Sequence, residues 1–194
     1  MSDKSKYYEK ARKKYEAQNF EDAIYWYTRV LTVDDRDAEI YSERGVAYFH
    51  KGDLKKALDD MNRARDLEPE NPYRYSSRAY IRDAMGDLEE AIADYEHTIK
   101  LDPEDAVAHN NLGLLEEKRG YHAKAKALFN FADELSKDAT GSDNPDDYRP
   151  KNIQKEINKA AKQDKPSTTR VIKQVFTDKS AFKDFINFIG NGFR

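Results

Sequence analysis

The chain has 194 residues, a formal net charge of −3, 37% charged and 38% hydrophobic residues, and no cysteine. The missing cysteine excludes a disulfide framework, a thiolate metal site and a cysteine nucleophile, and no apolar run approaches the roughly 18 residues that a membrane span requires. Residues 1–15 are charged throughout and lack the apolar stretch of a secretory signal, so a cytoplasmic setting is expected.

In chain order, Tyr7 to Ala17 predicts a helix rich in Lys10, Arg12, Lys13 and Lys14. Asn19 is placed to cap a second helix, running to about Val33 and carrying the only tryptophan, Trp26. Ala38 to Lys51 has Ile40, Tyr41, Val46, Ala47, Tyr48 and Phe49 at helical spacing. Gly52 ends that run, because glycine takes positive φ at little steric cost. Asp53 then caps a helix from Leu54 to Leu67, and Pro69 closes the unit. Asn71-Pro72 opens a third pair, a cap residue followed by proline at the first helical position. At its turn, Asp87 followed three residues later by Glu90 predicts a near capping box. A fourth pair runs from Asp105 to about Ser136, turning at Gly120-Tyr121.

The composition changes at Lys137, where KDATGSDNPDDYRP reads as loop, and residues 140–150 are assigned to it. Residues 151–163 predict a polar helix with Ile153, Ile157, Ala160 and Ala161 on one stripe, placed to cover the edge of the fourth pair. Pro166 and Ser167 break it, and residues 167–194 carry two further amphipathic patterns. Val171, Ile172, Val175 and Phe176 form the first stripe; Phe182, Phe185, Ile186 and Ile189 form the second, with Phe188 and Phe193 beside it.

The pairs are copies of one unit at a 34-residue offset: 4–37, 38–71, 72–105 and 106–139. A large residue recurs as Tyr7, Tyr41, Tyr75 and His109, and a small one as Ala11, Gly45, Ala79 and Gly113. In the second helix, Ala23, Ala57, Ala91 and Ala125 are followed four later by Tyr27, Met61, Tyr95 and Phe129. Val30, Ala64, Thr98 and Ala132 fill a third position, and the closing proline stands as Pro69 and Pro103. This array resembles the tetratricopeptide repeat, W-x2-L-G-x2-Y then A-x3-F then P. It departs where Asp35 and Lys137 replace the proline, Gln18 the turn glycine and Lys10 the leucine, all in the outer copies. The resemblance implies an all-α, right-handed solenoid of four helix pairs, followed here by C-terminal capping and amphipathic helices.

No catalytic constellation is present in the sequence. His50, His97, His109 and His122 fall in different helices without metal-ligand spacing, and His109 stands at a packing position. Neither a cofactor, a metal nor an enzymatic activity is expected. What the resemblance implies instead is a binding groove lined by the first helix of each pair. Its residues here are Tyr8, Arg12, Tyr15, Val46, Phe49, His50, Tyr73, Tyr80, Asn110, Asn111 and Leu114. Val46, Phe49, Tyr80 and Leu114 read as apolar positions that the core does not need, a strip that suits a protein or peptide partner. Family members that bind the carboxylate tails of chaperones use lysine, arginine and asparagine at set groove positions. This chain has Tyr8, Arg12, Glu43, Tyr73 and Ser77 there in one register and Ser42, Val46, Ser77, Val107 and Asn111 in the next. Neither forms a basic clamp, and Glu43 would repel a carboxylate.

Charge is divided along the chain. Residues 149–194 hold 11 Lys/Arg against 4 Asp/Glu, a balance of +7 that leaves −10 for the rest. The basic, amphipathic end is therefore expected to dock on protein: its own array, a second copy in a homo-oligomer, or a partner. The alternative is a peripheral membrane anchor, with Lys179, Lys183 and Arg194 flanking the apolar face. No nucleic-acid partner is expected of so acidic a body.

Overall fold

The computed structural model describes residues 2–141 and 153–164, and all regular structure among them is helical. The helices are α1 (Asp3–Glu16), α2 (Phe20–Leu31), α3 (Ala38–Lys51), α4 (Leu54–Leu67), α5 (Pro72–Met85), α6 (Leu88–Leu101), α7 (Ala106–Lys118), α8 (His122–Gly141) and α9 (Ile153–Gln163). Packing runs mainly between consecutive helices, with α3 also touching α5, so the pairs stack as a solenoid. Helix α8 continues to Gly141, so residues 137–141, read from composition as loop, are helical. Residues 142–150 and the apolar stripes of 167–194 lie outside the described residues.

All four first helices end alike. A residue one or two places past the helix takes the left-handed region, and it and its successor donate N–H bonds back into the last turn. Gly52 has φ 85°, and Gly52 N and Asp53 N donate to Phe49 O and Tyr48 O, both at 2.9 Å. Gly86 and Gly120 repeat this with φ 85° and 89°. In the first pair Gln18 does the same at φ 57°, a conformation that glycine takes more cheaply.

The second helices start on local caps: the side chains of Asn19 and Asp53 accept from the backbone N–H of Asp22 and Lys56. The box expected at Asp87 does not form, and its side chain makes no cap bond. The backbone N–H of Asp87 that Glu90 would bind is already given to Arg82 O at 2.9 Å. At the corresponding place in the fourth pair stands Tyr121, which has no carboxylate to offer. Asp164, just beyond α9, supplies it instead: its two oxygens accept from Ala123 N (2.9 Å) and Lys124 N (2.6 Å), at the start of α8.

Inside each pair the second helix lays a large side chain on the small residue of the first. Ala11, Gly45, Ala79 and Gly113 are buried there. A Cβ at Gly113 would lie 2.5 Å from Phe129 Cε1, and one at Gly45 2.9 Å from Met61 Cε, so the helices approach as closely as glycine permits. Tyr27, Met61, Ile81 and Leu128 are almost fully buried along the array, and each contributes roughly 1.5–3 kcal/mol of transfer free energy. At the C-terminal end α9 packs on α8, and Ile157 is buried in the cluster that holds Leu112, Leu115 and Leu128.

A second set of recurring positions sits beside these. Arg44 holds Asp60 through two bonds of 2.8 and 2.7 Å, and Arg78 holds Asp94 in the same bidentate way. The remaining guanidinium nitrogen reaches back to the preceding repeat: Arg44 Nη1 to Thr28 Oγ1 at 3.1 Å, Arg78 Nη1 to Asn62 Oδ1 at 3.0 Å. In the outer repeats the equivalent pairs are Leu112 with Leu128, both buried, and Lys10 seated 4.2 Å from the Trp26 ring centre.

Candidate interaction groove

The first helices α1, α3, α5 and α7 turn one face toward a common groove, in which two adjoining cavities share Val46 and Tyr73. The larger, about 300 Å³, lies over repeats two and three and reaches α7. Its walls are Val46, Phe49, His50, Tyr73, Tyr80, Val107 and Asn111, and its floor is Met61, Ile81 and Tyr95. Phe49 and Tyr80 meet with ring centres 5.2 Å apart, and His50 stacks on Phe20 at 4.9 Å, so aromatic rings run along one rim. Asn111 Nδ2 donates to the Tyr95 hydroxyl at 3.3 Å. Burial pushes that phenol up to about 12, so it is neutral at physiological pH.

The smaller cavity, about 280 Å³, is lined by Arg12, Tyr15, Glu16, Tyr27, Glu39, Ser42 and Glu43 besides the two shared residues. Arg12 pairs with Glu16 at 3.3 Å, and Glu39 with the buried Arg74 at 2.9 Å. Glu43 has no such cation: its Oε1 accepts from the Tyr8 hydroxyl at 3.0 Å. Burial pushes the Glu43 carboxyl up from its ordinary range, and the Tyr8 bond pulls it partly back.

Of the groove residues expected from sequence, Arg12, Tyr15, Val46, Phe49, His50, Tyr73, Tyr80 and Asn111 line one or both cavities. Tyr8 stands at the smaller one through its bond to Glu43. Asn110 and Leu114 are exposed on α7 and line neither. Two positions read as dispensable to the core are part of it. Val46 and Phe49 are half-buried against Ala57, Met61 and Ile81, which α4 and α5 bring against α3. The exposed apolar surface shifts instead to Tyr73, Tyr80, Val107 and Leu114, between 45% and 68% accessible. Ser42, named among the groove positions, is buried and accepts from Arg74 at 2.8 Å. Sequence reasoning missed the floor residues and the acidic lining. Their signal was present: Met61 and Tyr95 fall at one repeat position, and Glu39 and Glu43 lie one helical turn apart.

His109, expected to be structural, is buried, with Nε2 2.9 Å from Pro103 O and its ring edge-on to Phe131. Among the described residues no group of histidines and carboxylates has the geometry of a metal site, and no helix is long and apolar enough to cross a membrane.

The geometry defines a class first: a helix-pair solenoid with a groove along its inner helices. Family models described as "Tetratricopeptide repeat" and "TPR repeat" match residues 8–72 and 79–120. The chain belongs to the tetratricopeptide-repeat family. Tetratricopeptide repeat protein 28 of Mus musculus is 38% identical over 72 residues, 36% of this chain, and the match spans only 3% of that relative's length. Among solved structures, MamA is similar with a TM-score of 0.66 and 26% identity, over 71% of this chain and 80% of that one. The first such domain of Spaghetti (RPAP3), bound to the HSP90 peptide SRMEEVD, gives 0.57 and 29%, over 60% and 93%.

Proposed function

We propose that the protein is a non-catalytic interaction scaffold or adaptor that binds a peptide or helix of a partner protein along the inner groove, in a cytoplasmic setting. The observation that carries this reading is the pair of adjoining cavities with Tyr73, Tyr80 and Val107 exposed beside them. Aromatic side chains left accessible next to a preformed cavity are the usual anchors of a protein interface. A similar array holds a peptide in the RPAP3 complex, which supports the mode of binding. Deriving the same ligand from it would be wrong. SRMEEVD is rich in acidic residues, whereas Glu16, Glu39 and Glu43 line the smaller cavity here.

The C-terminal amphipathic segment, by this proposal, docks on protein in cis or in a homo-oligomer, since its stripe of Phe182, Phe185, Ile186 and Ile189 calls for burial. Two measurements test the two parts. Affinity capture with the full chain should return partners that a Tyr73→Ser/Tyr80→Ser variant of unchanged helicity loses; an identical set from both would sink the groove reading. Light scattering on the full chain and on a variant with those four apolar residues changed to serine reads the tail. Unchanged mass, stability and partner set would remove it from the proposal, and flotation with anionic vesicles would replace it with a membrane anchor.

A further inference from the structure

The two cavities differ in chemistry while sharing a wall. The larger is apolar, floored by Met61, Ile81 and Tyr95. The smaller gathers three glutamates and one arginine, and the arginine is already paired with Glu16. Glu39 is likewise satisfied by Arg74. Glu43 is the exception, because it makes no ion pair among the described residues: its Oε1 accepts from the Tyr8 phenol, its buried Oε2 has only the neutral Tyr27 phenol nearby and no well-formed hydrogen bond, and Arg12 acts on it only at longer range. A half-buried carboxylate left this way is costly, and a cation brought by a ligand would remove the cost.

Resting on the groove reading above, we infer that the partner segment carries a lysine or arginine directly beside a large apolar side chain. The cation enters the smaller cavity against Glu43, with Glu39 and Glu16 at its edge. The apolar side chain crosses Val46 and Tyr73 into the space between Phe49, Tyr80 and Val107. The charge preference of the groove is thus opposite to that of a basic clamp for carboxylate tails. Selectivity follows from the mismatch for other ligands: an acidic segment meets Glu43 across a space walled by tyrosines, where little water screens the repulsion. Two anchor points of different chemistry also fix the direction in which the segment lies.

The test uses the full-length chain, immobilised and panned against a random peptide library displayed on phage. Recovered sequences are expected to share Lys or Arg next to an aromatic or branched aliphatic residue. A synthetic, amidated copy of one should bind the Glu43→Gln variant about tenfold more weakly, as loss of a charge-assisted bond implies, and Tyr80→Ala should weaken it further. Replacing the peptide's basic residue by glutamine should cost the same factor on the native chain and nothing more on Glu43→Gln. Sequences that depend on Tyr80 but show no basic preference, or an acidic one, would overturn this inference and leave the groove reading standing. Sequences indifferent to both substitutions would overturn both. Binding that begins only after Phe182, Phe185, Ile186 and Ile189 are changed to serine would overturn an external partner and assign the groove to the chain's own C-terminal segment.

Discussion

Repeats two and four answer the same packing problem with opposite chemistry. In repeat two the space between the helices holds Arg44 and Asp60; in repeat four it holds Leu112 and Leu128. Both close the helix pair, so what the fold demands there is volume and satisfied contacts rather than one residue type. The ionic version does something the leucines do not. Arg44 also grips Thr28 of the repeat before it, as Arg78 grips Asn62, and so ties the stacking register to hydrogen-bond geometry. In the fourth repeat that reach is taken over by Lys124, which bonds Glu96 of the third at 3.2 Å and the fully buried Glu116 at 2.6 Å.

The comparison breaks most sharply if one partner is removed. Asp60→Ala leaves the half-buried Arg44 without its carboxylate and should cost about 2–3 kcal/mol, measured by urea denaturation. The double variant Arg44→Leu/Asp60→Leu, which copies repeat four, should return to within about 1 kcal/mol of the native chain. A double variant as unstable as the single one would show that the ion pair is required for more than closure. Next in size is the helix crossing. Gly113→Ala drives a methyl into the rigid Phe129 ring and should cost about 2 kcal/mol, while Gly45→Ala meets the flexible end of Met61 most closely, with Asp60 Cβ at 3.2 Å and Ala57 O at 3.3 Å, and should cost about half of that. Equal melting shifts for the two would contradict the geometry.

The turns provide a smaller effect of opposite sign. Gln18→Gly places glycine where φ is already 57° and should stabilise by up to about 1 kcal/mol, whereas a glycine placed inside α1, as in Lys13→Gly, should destabilise. The smallest effect depends on pH. Tyr75 and His109 occupy one repeat position, and their side chains meet Pro69 O and Pro103 O. Burial holds His109 below its ordinary value, with the Pro103 bond opposing. The unfolded chain therefore takes up the proton first as pH falls below about 6.5, and stability present above that pH is lost on the way down. His109→Tyr, made to resemble the third repeat, should flatten that part of the stability profile; an unaltered slope would remove His109 as its source.

These contrasts also explain what could be read from the sequence alone. The crossing residues, the glycine turns and the caps at Asn19 and Asp53 are local patterns repeated at a fixed offset, so they are legible one dimension at a time. The Arg44–Asp60 and Arg78–Asp94 pairs join residues of different helices and become visible only when two such positions are compared across copies. Asp87 shows the reverse failure: the residues of a capping box are present, but the turn before them has already used the N–H. In the groove, position within the repeat picks out Arg12, Tyr15, Val46, Phe49, His50, Tyr73, Tyr80 and Asn111, which line the cavities, but also Asn110 and Leu114, which do not. The burial of Val46 and Phe49 was not legible, because it depends on Ala57, Met61 and Ile81, which other helices bring against them.

The bond from Asp164 to the start of α8 has a further consequence for how the array comes apart. A stack of repeats unravels approximately as a line of coupled units, beginning at an end. Here the clasp on the last unit is a side chain at the base of the segment that continues beyond α9. Lifting α9 removes the Asp164 cap from α8 and takes Ile157 out of the cluster it shares with Leu112 and Leu128, so the last repeat loses a polar and an apolar contact together.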